Sequence, residues 1–256
     1  TLFRSGGKAS PKLGSDGSTY RLLTSLGHGL VTLRPALTQI RTETEPIRGL
    51  NGLRAAAEIS LVRGGRVLAR EHGEILFTEY GISGVAAMQL ARDAEKGALH
   101  ISLLPAVNIG PAELADKLQS RAVLFEKAPL EQFFLGWLHA RMGMALFKRA
   151  GIGPLSRLCG TLSGAELSVL AGLIADFPLT VTGINGFENA QVTAGGIDTK
   201  DFDPATMSSR LVPGLHAAGE ILDVDGGCGG FNLLFAWASG ILAGTNAAER
   251  GKTDQT

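Results

Sequence analysis

The residues best suited to chemistry lie in one stretch, GEILDVDGGCGGFN, running from Gly219 to Asn232. The short apolar segment Leu215 to Ala218 reads as a buried strand before it, and a helical pattern follows from about Phe231 to Glu249. Glu220, Asp223 and Asp225 therefore fall at the carboxyl edge of a strand, and Gly226, Gly227, Gly229 and Gly230 stand directly before a helix. Glycines at such a place let backbone approach a ligand closely. The start of a helix adds unpaired N–H donors and partial positive charge. Together they suit an electron-rich group, either a phosphate or the O2/N1 side of a reduced flavin ring. The carboxylates suit the hydroxyls of a ribose or a ribityl chain. The plainer alternative is a long glycine loop with solvated acids.

Elsewhere the titratable residues have structural explanations. His28 follows Gly27 as a cap or packing residue; His72, His100 and His139 fall in a hairpin, a strand and an amphipathic helix; His216 sits inside a buried strand. Cys228 lies in the glycine loop without a second cysteine nearby, and no His/Cys/carboxylate spacing suggests a metal site. Tyr80 and Ser83, in FTEYGISG, suit a pocket wall or a turn and helix cap equally. The catalytic acid or base is unassigned.

Composition narrows the class. With 24 basic and 24 acidic residues the chain is formally neutral, which lacks the single-sign field that nucleic acid or an acidic membrane requires. No apolar run reaches the ~18 residues of a membrane span. Two distant cysteines, Cys159 and Cys228, read as reduced thiols of a cytoplasmic protein. Glycine is the outlier at 35 of 256 residues, about twice the ~7% of average usage, in clusters without a period.

The elements that must position these residues fall into zones. Ser18 to Leu26 reads as a helix closed by Gly27, followed by a strand at Val31 to Leu33. Ala57 to Val62 and Arg66 to Ala69, joined by Gly64-Gly65, make a hairpin. Glu74 to Thr78 and His100 to Leu104 extend an antiparallel sheet or small barrel, with a short helix at Val85 to Ala91. The next zone is helical: one helix from Pro111 to about Arg121, a long one over Leu130 to Arg149, and one opened by a Ser163/Glu166 capping box. Val181 returns to strand, and after Ala190 strand, loop and helix alternate in the α/β manner.

Three stretches in chain order, GGKASPKLGSDGSTYRLLTSLGH, GEILFTEYGISG and the run from Val192 to Gly244, resemble a bacterial family of NAD(P)/FAD-dependent oxidoreductases that includes aminoacetone-oxidase-like flavoproteins. The resemblance covers nearly all of the chain after Ser5. It implies an α/β fold: a Rossmann-like FAD-binding domain, present in part, interrupted by a β-rich domain that carries an all-α insertion. The corresponding ranges are 6–34 and 191–256 for the FAD domain, 35–105 and 178–190 for the β-rich domain, and 106–177 for the helical insertion. It also implies that Gly219 and Glu220 meet the ribityl or pyrophosphate part of FAD, with Asp225 and Gly227 beside them. Gly229, Gly230, Phe231 and Asn232 would face the pyrimidine side of the flavin. Gly6 and Gly7 would form the turn lying against the cofactor, and Thr193 to Gly196 the crossing back from the inserted domains.

One departure stands out: no GxGxxG opens the chain. The reading is therefore that the N-terminal βαβ unit lies outside this sequence. Thr1 to Ser5, which match a translated sequencing adapter and lead into Gly6-Gly7 with no strand before them, are read as non-native. The function expected is an FAD-dependent oxidoreductase moving hydride or electrons between a small-molecule substrate or NAD(P)H and an acceptor, its substrate entering between the FAD domain and the β-rich domain. The alternatives are a flavin-dependent RNA-modifying protein and a non-catalytic flavin- or nucleotide-binding protein. No nucleic-acid or membrane partner is expected, and the oligomeric state is open.

Overall fold

A computed structural model describes residues 1–3 and 5–253. In chain order the elements are β1 Leu2–Phe3, α1 Ser18–Ser25, β2 Leu30–Ala36, β3 Ile40–Thr42, β4 Arg54–Arg63, β5 Arg66–Phe77, β6 Gly81–Ser83, α2 Val85–Leu90 and β7 Gly97–Ser102. They continue with α3 Leu104–Val107, α4 Leu114–Leu124, α5 Ala140–Arg149, α6 Gly164–Ala175, β8 Phe177–Ile184, β9 Val192–Ile197, β10 His216–Ala217 and α7 Phe231–Thr253. The chain forms two compact units, one from residues 1–38 with 185–256 and one from the continuous stretch Gln39–Ile184.

In the continuous unit six strands close an antiparallel barrel in the order β3-β6-β5-β4-β7-β8. Gly64 and Gly65, both at positive φ, make the β4–β5 hairpin turn, a conformation that glycine adopts without strain. The two segments read as separate strands before and after His72 are one strand, β5, paired with β4 from Arg66 to Leu76 with one register shift. Ile59, Leu61, Ile75, Phe77, Ile82 and Leu99 fill the barrel and share one core with the helices between β7 and β8, through Leu118, Phe133, Phe147 and Leu170. The helical stretch is therefore packed onto the barrel and has no core of its own.

Two expectations for that stretch are corrected. Pro111 lies in a turn and the helix starts at Leu114. The long helix from Leu130 to Arg149 is broken: only Leu130–Gln132, as a 3₁₀ turn, and Ala140–Arg149 are helical. The guanidinium of Arg121 explains the break. It donates to the carbonyls of Phe133 and Leu135. Its plane lies 4.6 Å from the Phe125 ring and 4.5 Å from the Trp137 ring, a favourable cation–π arrangement for a desolvated cation. Carbonyls claimed by a side chain are lost to a helix, Gly136 turns the chain at φ 79°, and His139 Nδ1 caps the new start by accepting from Arg141 N–H.

In the discontinuous unit β2 and β9 form an antiparallel ladder, Leu30↔Ile197 to Ala36↔Val192. That ladder draws residues 35–38 into this unit, beyond the boundary read at Pro35. Leu2–Phe3 do form a strand, parallel to His216–Ala217, so a strand does precede the Gly6-Gly7 turn. Tyr20, Leu23, Ile197, Leu215, Ala217 and Ile221 make the core. Among the described residues no helix is long and apolar enough to cross a membrane, and no three His, Cys, Asp or Glu side chains are grouped to hold a metal.

Candidate functional site

The backbone around β9 explains the TAGG motif. A Cβ on Gly195, at φ 80°, would stand 2.3 Å from the Thr32 carbonyl of β2, and one on Gly196 would stand 2.6 Å from the Leu222 carbonyl carbon. β9 is thus pressed between β2 and the segment at Leu222, where a parallel bridge from Ile197 to Leu222 and the bond Asp223 N–H to Ile197 O tie the chain. Ahead of these glycines, Thr193 Oγ1 accepts from the N–H of Lys8 at 2.7 Å and of Ala9 at 2.9 Å, while Thr193 N–H donates to Glu220 Oε1 at 2.8 Å. Gly7 fits beneath this junction because a Cβ there would stand 2.3 Å from Glu220 Oε1 and 2.4 Å from Thr193 Oγ1.

After the strand, Gly219 takes φ 73° and donates its N–H to Ser239 Oγ, whose hydroxyl donates to Phe235 O within α7. The glycine loop that follows is shaped by Asn232. Its Oδ1 accepts from Gly226 N–H at 2.8 Å and its Nδ2 donates to Gly226 O at 3.0 Å, so the side-chain amide pairs with the loop as a neighbouring strand would. The backbone N–H groups from Gly227 to Leu233 have no acceptor among the described residues. These donors stand at the positive end of a helix of 23 residues.

They border a cavity of about 370 Å³ lined by Leu37, Gln191, Val192, Glu220, residues 227–230, Asn232, Leu233 and Ala236. Of the residues read from sequence, Glu220, Gly227, Gly229, Gly230 and Asn232 share this cavity. Gly6, Gly7, Gly219, Asp225 and Phe231 are not in its wall. Gly7 and Gly219 act one step back, by close packing and by a left-handed turn. Phe231 is 61% exposed, and its ring lies over Gly229, 3.5 Å from where a Cβ would be. Glu220 is half engaged: Oε1 is held by Thr193, and Oε2 has no partner among the described residues. Burial, and then the charges of Glu220 and Asp223, push the Tyr20 phenol well above its usual range, so it stands as a neutral donor to Glu220 O at 3.2 Å. Leu37, Gln191 and Val192 were not read as site residues. Adjacency to TAGG pointed weakly at the last two, whereas Leu37 reaches the wall through a left-handed φ of 47° that its type does not announce.

Buried His28 stacks on Phe202, directs Nδ1 at Leu23 O and places Nε2 2.8 Å from Ser209 Oγ. A carbonyl only accepts, so Nδ1 carries the proton and Nε2 receives the serine hydroxyl. Cys228 borders the cavity, and both cysteines are free thiols.

An α/β unit whose glycine loop opens a helix beside a cleft is the Rossmann class of nucleotide-binding architecture. The chain belongs to the HI0933-like protein Rossmann domain family, whose profile matches residues 1–246. It is 37% identical, over 97% of its length, to a 3-dehydro-bile acid delta(4,6)-reductase of Clostridium scindens. It is 29% identical, over 93% of its length in each case, to ribosomal RNA dihydrouridine synthases of Escherichia coli and Haemophilus influenzae. The chain spans 62%, 58% and 57% of these relatives.

Proposed function

We propose that this chain carries the flavin-ring end of an FAD-dependent oxidoreductase that saturates a carbon–carbon double bond conjugated to a carbonyl. The observation that carries the reading is a run of backbone N–H groups, Gly227 to Leu233, that have no acceptor among the described residues and belong to a loop and helix start that, Phe231 apart, line a cavity within one unit. The donor set fits an electron-rich ring edge: amides without competing acceptors, at a helix start, in a loop held open by Asn232. Glu220 Oε2 would accept from a ribityl hydroxyl, and Leu37, Val192, Leu233 and Ala236 would supply apolar wall for the ring. When bound, FAD supplies the hydride, replenished by NAD(P)H. The chain's own work is to orient the ring, to keep water from its apolar wall, and to stabilise added negative charge through amides already in place.

The substrate class comes from what the relatives' names share. A 3-dehydro delta(4,6) steroid is a ketone conjugated to double bonds, and dihydrouridine arises by saturating the uracil double bond beside a carbonyl. A steroid-like substrate is favoured by the higher identity of the bile-acid reductase; a uracil in RNA is the second reading, favoured by the two synthases.

Purified protein containing this chain is expected to bind FAD and to consume NAD(P)H only when a conjugated enone or uracil-containing RNA is added. Asn232→Ala should weaken FAD binding about tenfold, the equivalent of ~1.4 kcal/mol, because the loop loses its internal partner. Absence of flavin binding, or an Asn232→Ala protein with unchanged affinity, would sink the assignment.

A further inference from the structure

The barrel unit carries a second set of polar clefts, unrelated to the glycine loop. Glu45 and Arg48 lie in the loop between β3 and β4, and Lys148 and Arg149 form the last turn of α5. With Pro46 and Ala145 they line a cleft of about 190 Å³. Three cations thus converge on one carboxylate. Lys148 Nζ lies 2.7 Å from Glu45 Oε1, and that bond, with the further charges of Arg149 and Arg48, holds the Glu45 carboxyl below its usual range. The Arg149 guanidinium donates to Pro178 O at 3.5 Å and lies 5.8 Å from the Phe177 ring, which positions it and leaves its remaining N–H donors for a ligand. The Arg48 guanidinium has no hydrogen-bond or ion-pair partner among the described residues. Surface cations are ordinarily dispersed or matched, since clustered like charge is costly. Here the excess faces a concavity.

Glu45 and Arg48 also line a second, larger cavity of about 420 Å³, with Thr44, Asn51, Thr78 and Glu79. Its loop is fixed from outside by Arg141, which donates to Gly49 O at 3.1 Å and Asn51 O at 2.9 Å. The wall therefore offers hydroxyls, an amide and a carboxylate at a size suited to a small polar group. We infer that the paired clefts bind a nucleotide phosphate, the phosphate between Arg48, Lys148 and Arg149 and the sugar or base against Thr44, Asn51, Thr78 and Glu79. Guanidinium and ammonium groups are the natural ligands of such an anion. The phosphate can come from a free nucleotide or from an RNA strand, and both present the same chemistry. The residues concerned belong to the barrel unit alone and not to the flavin cavity; the choice of uridine probes rests on the second reading above, and phosphate binding is read separately from it.

Calorimetric titration of the chain at low salt with inorganic phosphate, uridine, uridine monophosphate and a single-stranded uridine oligonucleotide tests it. The monophosphate should bind at least about tenfold tighter than uridine, a difference of ~1.4 kcal/mol. Arg48→Ala with Lys148→Ala should abolish that advantage while leaving the melting temperature near that of the parent. Glu45→Gln should tighten the monophosphate severalfold by removing the opposing charge, a gain that a merely structural role would not produce. An oligonucleotide binding more tightly than the monophosphate, with steep salt dependence, assigns the phosphate to a strand; equal or weaker binding assigns it to a free nucleotide. Equal affinity for uridine and its monophosphate, or no tightening in Glu45→Gln, overturns the inference.

Discussion

Single residues at this site work mainly through space they leave empty or bonds they complete. Gly7 is the sharpest case. It was read as part of a turn against a cofactor, yet its absent side chain makes room for Glu220 and Thr193. Gly7→Ala should lower stability by about 1–3 kcal/mol through overpacking. It should also displace Glu220 from Thr193 N–H, which lies beside the cavity. Denaturant unfolding of the two proteins measures the loss, and an unchanged midpoint would contradict the packing described. Asn232 was legible as a site residue because it follows the glycines. That its amide would be spent on Gly226 was not, because a side chain's hydrogen-bond partner is set by loop geometry.

At the scale of elements, local rules succeeded where the signal was contained within a few residues. The Gly64-Gly65 hairpin and the Ser163/Glu166 capping box are both present. Glu166 Oε2 accepts from Ser163 N–H at 2.8 Å, and Arg157 grips both carboxylate oxygens at 2.6 and 2.9 Å. The Arg157 bond first, then that N–H, pull its pKa from 4.5 down to about 2. A carboxylate depressed in the folded state contributes stability that is fully present above its unfolded value and is lost as pH falls through the folded one. The contribution should hold above about pH 4.5 and fade towards pH 2. Melting temperatures of the parent and Glu166→Gln should therefore differ at pH 6 and converge near pH 2; a constant gap would refute the role. The broken helix between Leu130 and Ala140 shows the opposite case. Its apolar spacing favours one helix, but Arg121, nine or more positions upstream, claims the carbonyls that helix needs.

For the molecule as a whole, the topology is an insertion. The discontinuous unit needs both its segments, since β2 pairs with β9 and β1 with β10 across the whole intervening chain. The barrel unit needs only itself, because residues 39–184 close the barrel and hold its core. A polypeptide of residues 39–184 should fold alone, with one cooperative thermal transition and dispersed amide resonances. A disordered product would show that closure depends on the other unit.

The sequence by itself determined the glycine loop before a helix, the strand, helix and α/β zones, the hairpin turn and the capping box, because each is written in residue types a few positions apart. Tertiary structure alone decided that the barrel closes, that the helices share its core, that Leu37 and Gln191 reach the cavity, and that Lys148 meets Glu45 across about a hundred residues of chain. Such encounters depend on burial and register accumulated over the whole fold, and no local pattern encodes them.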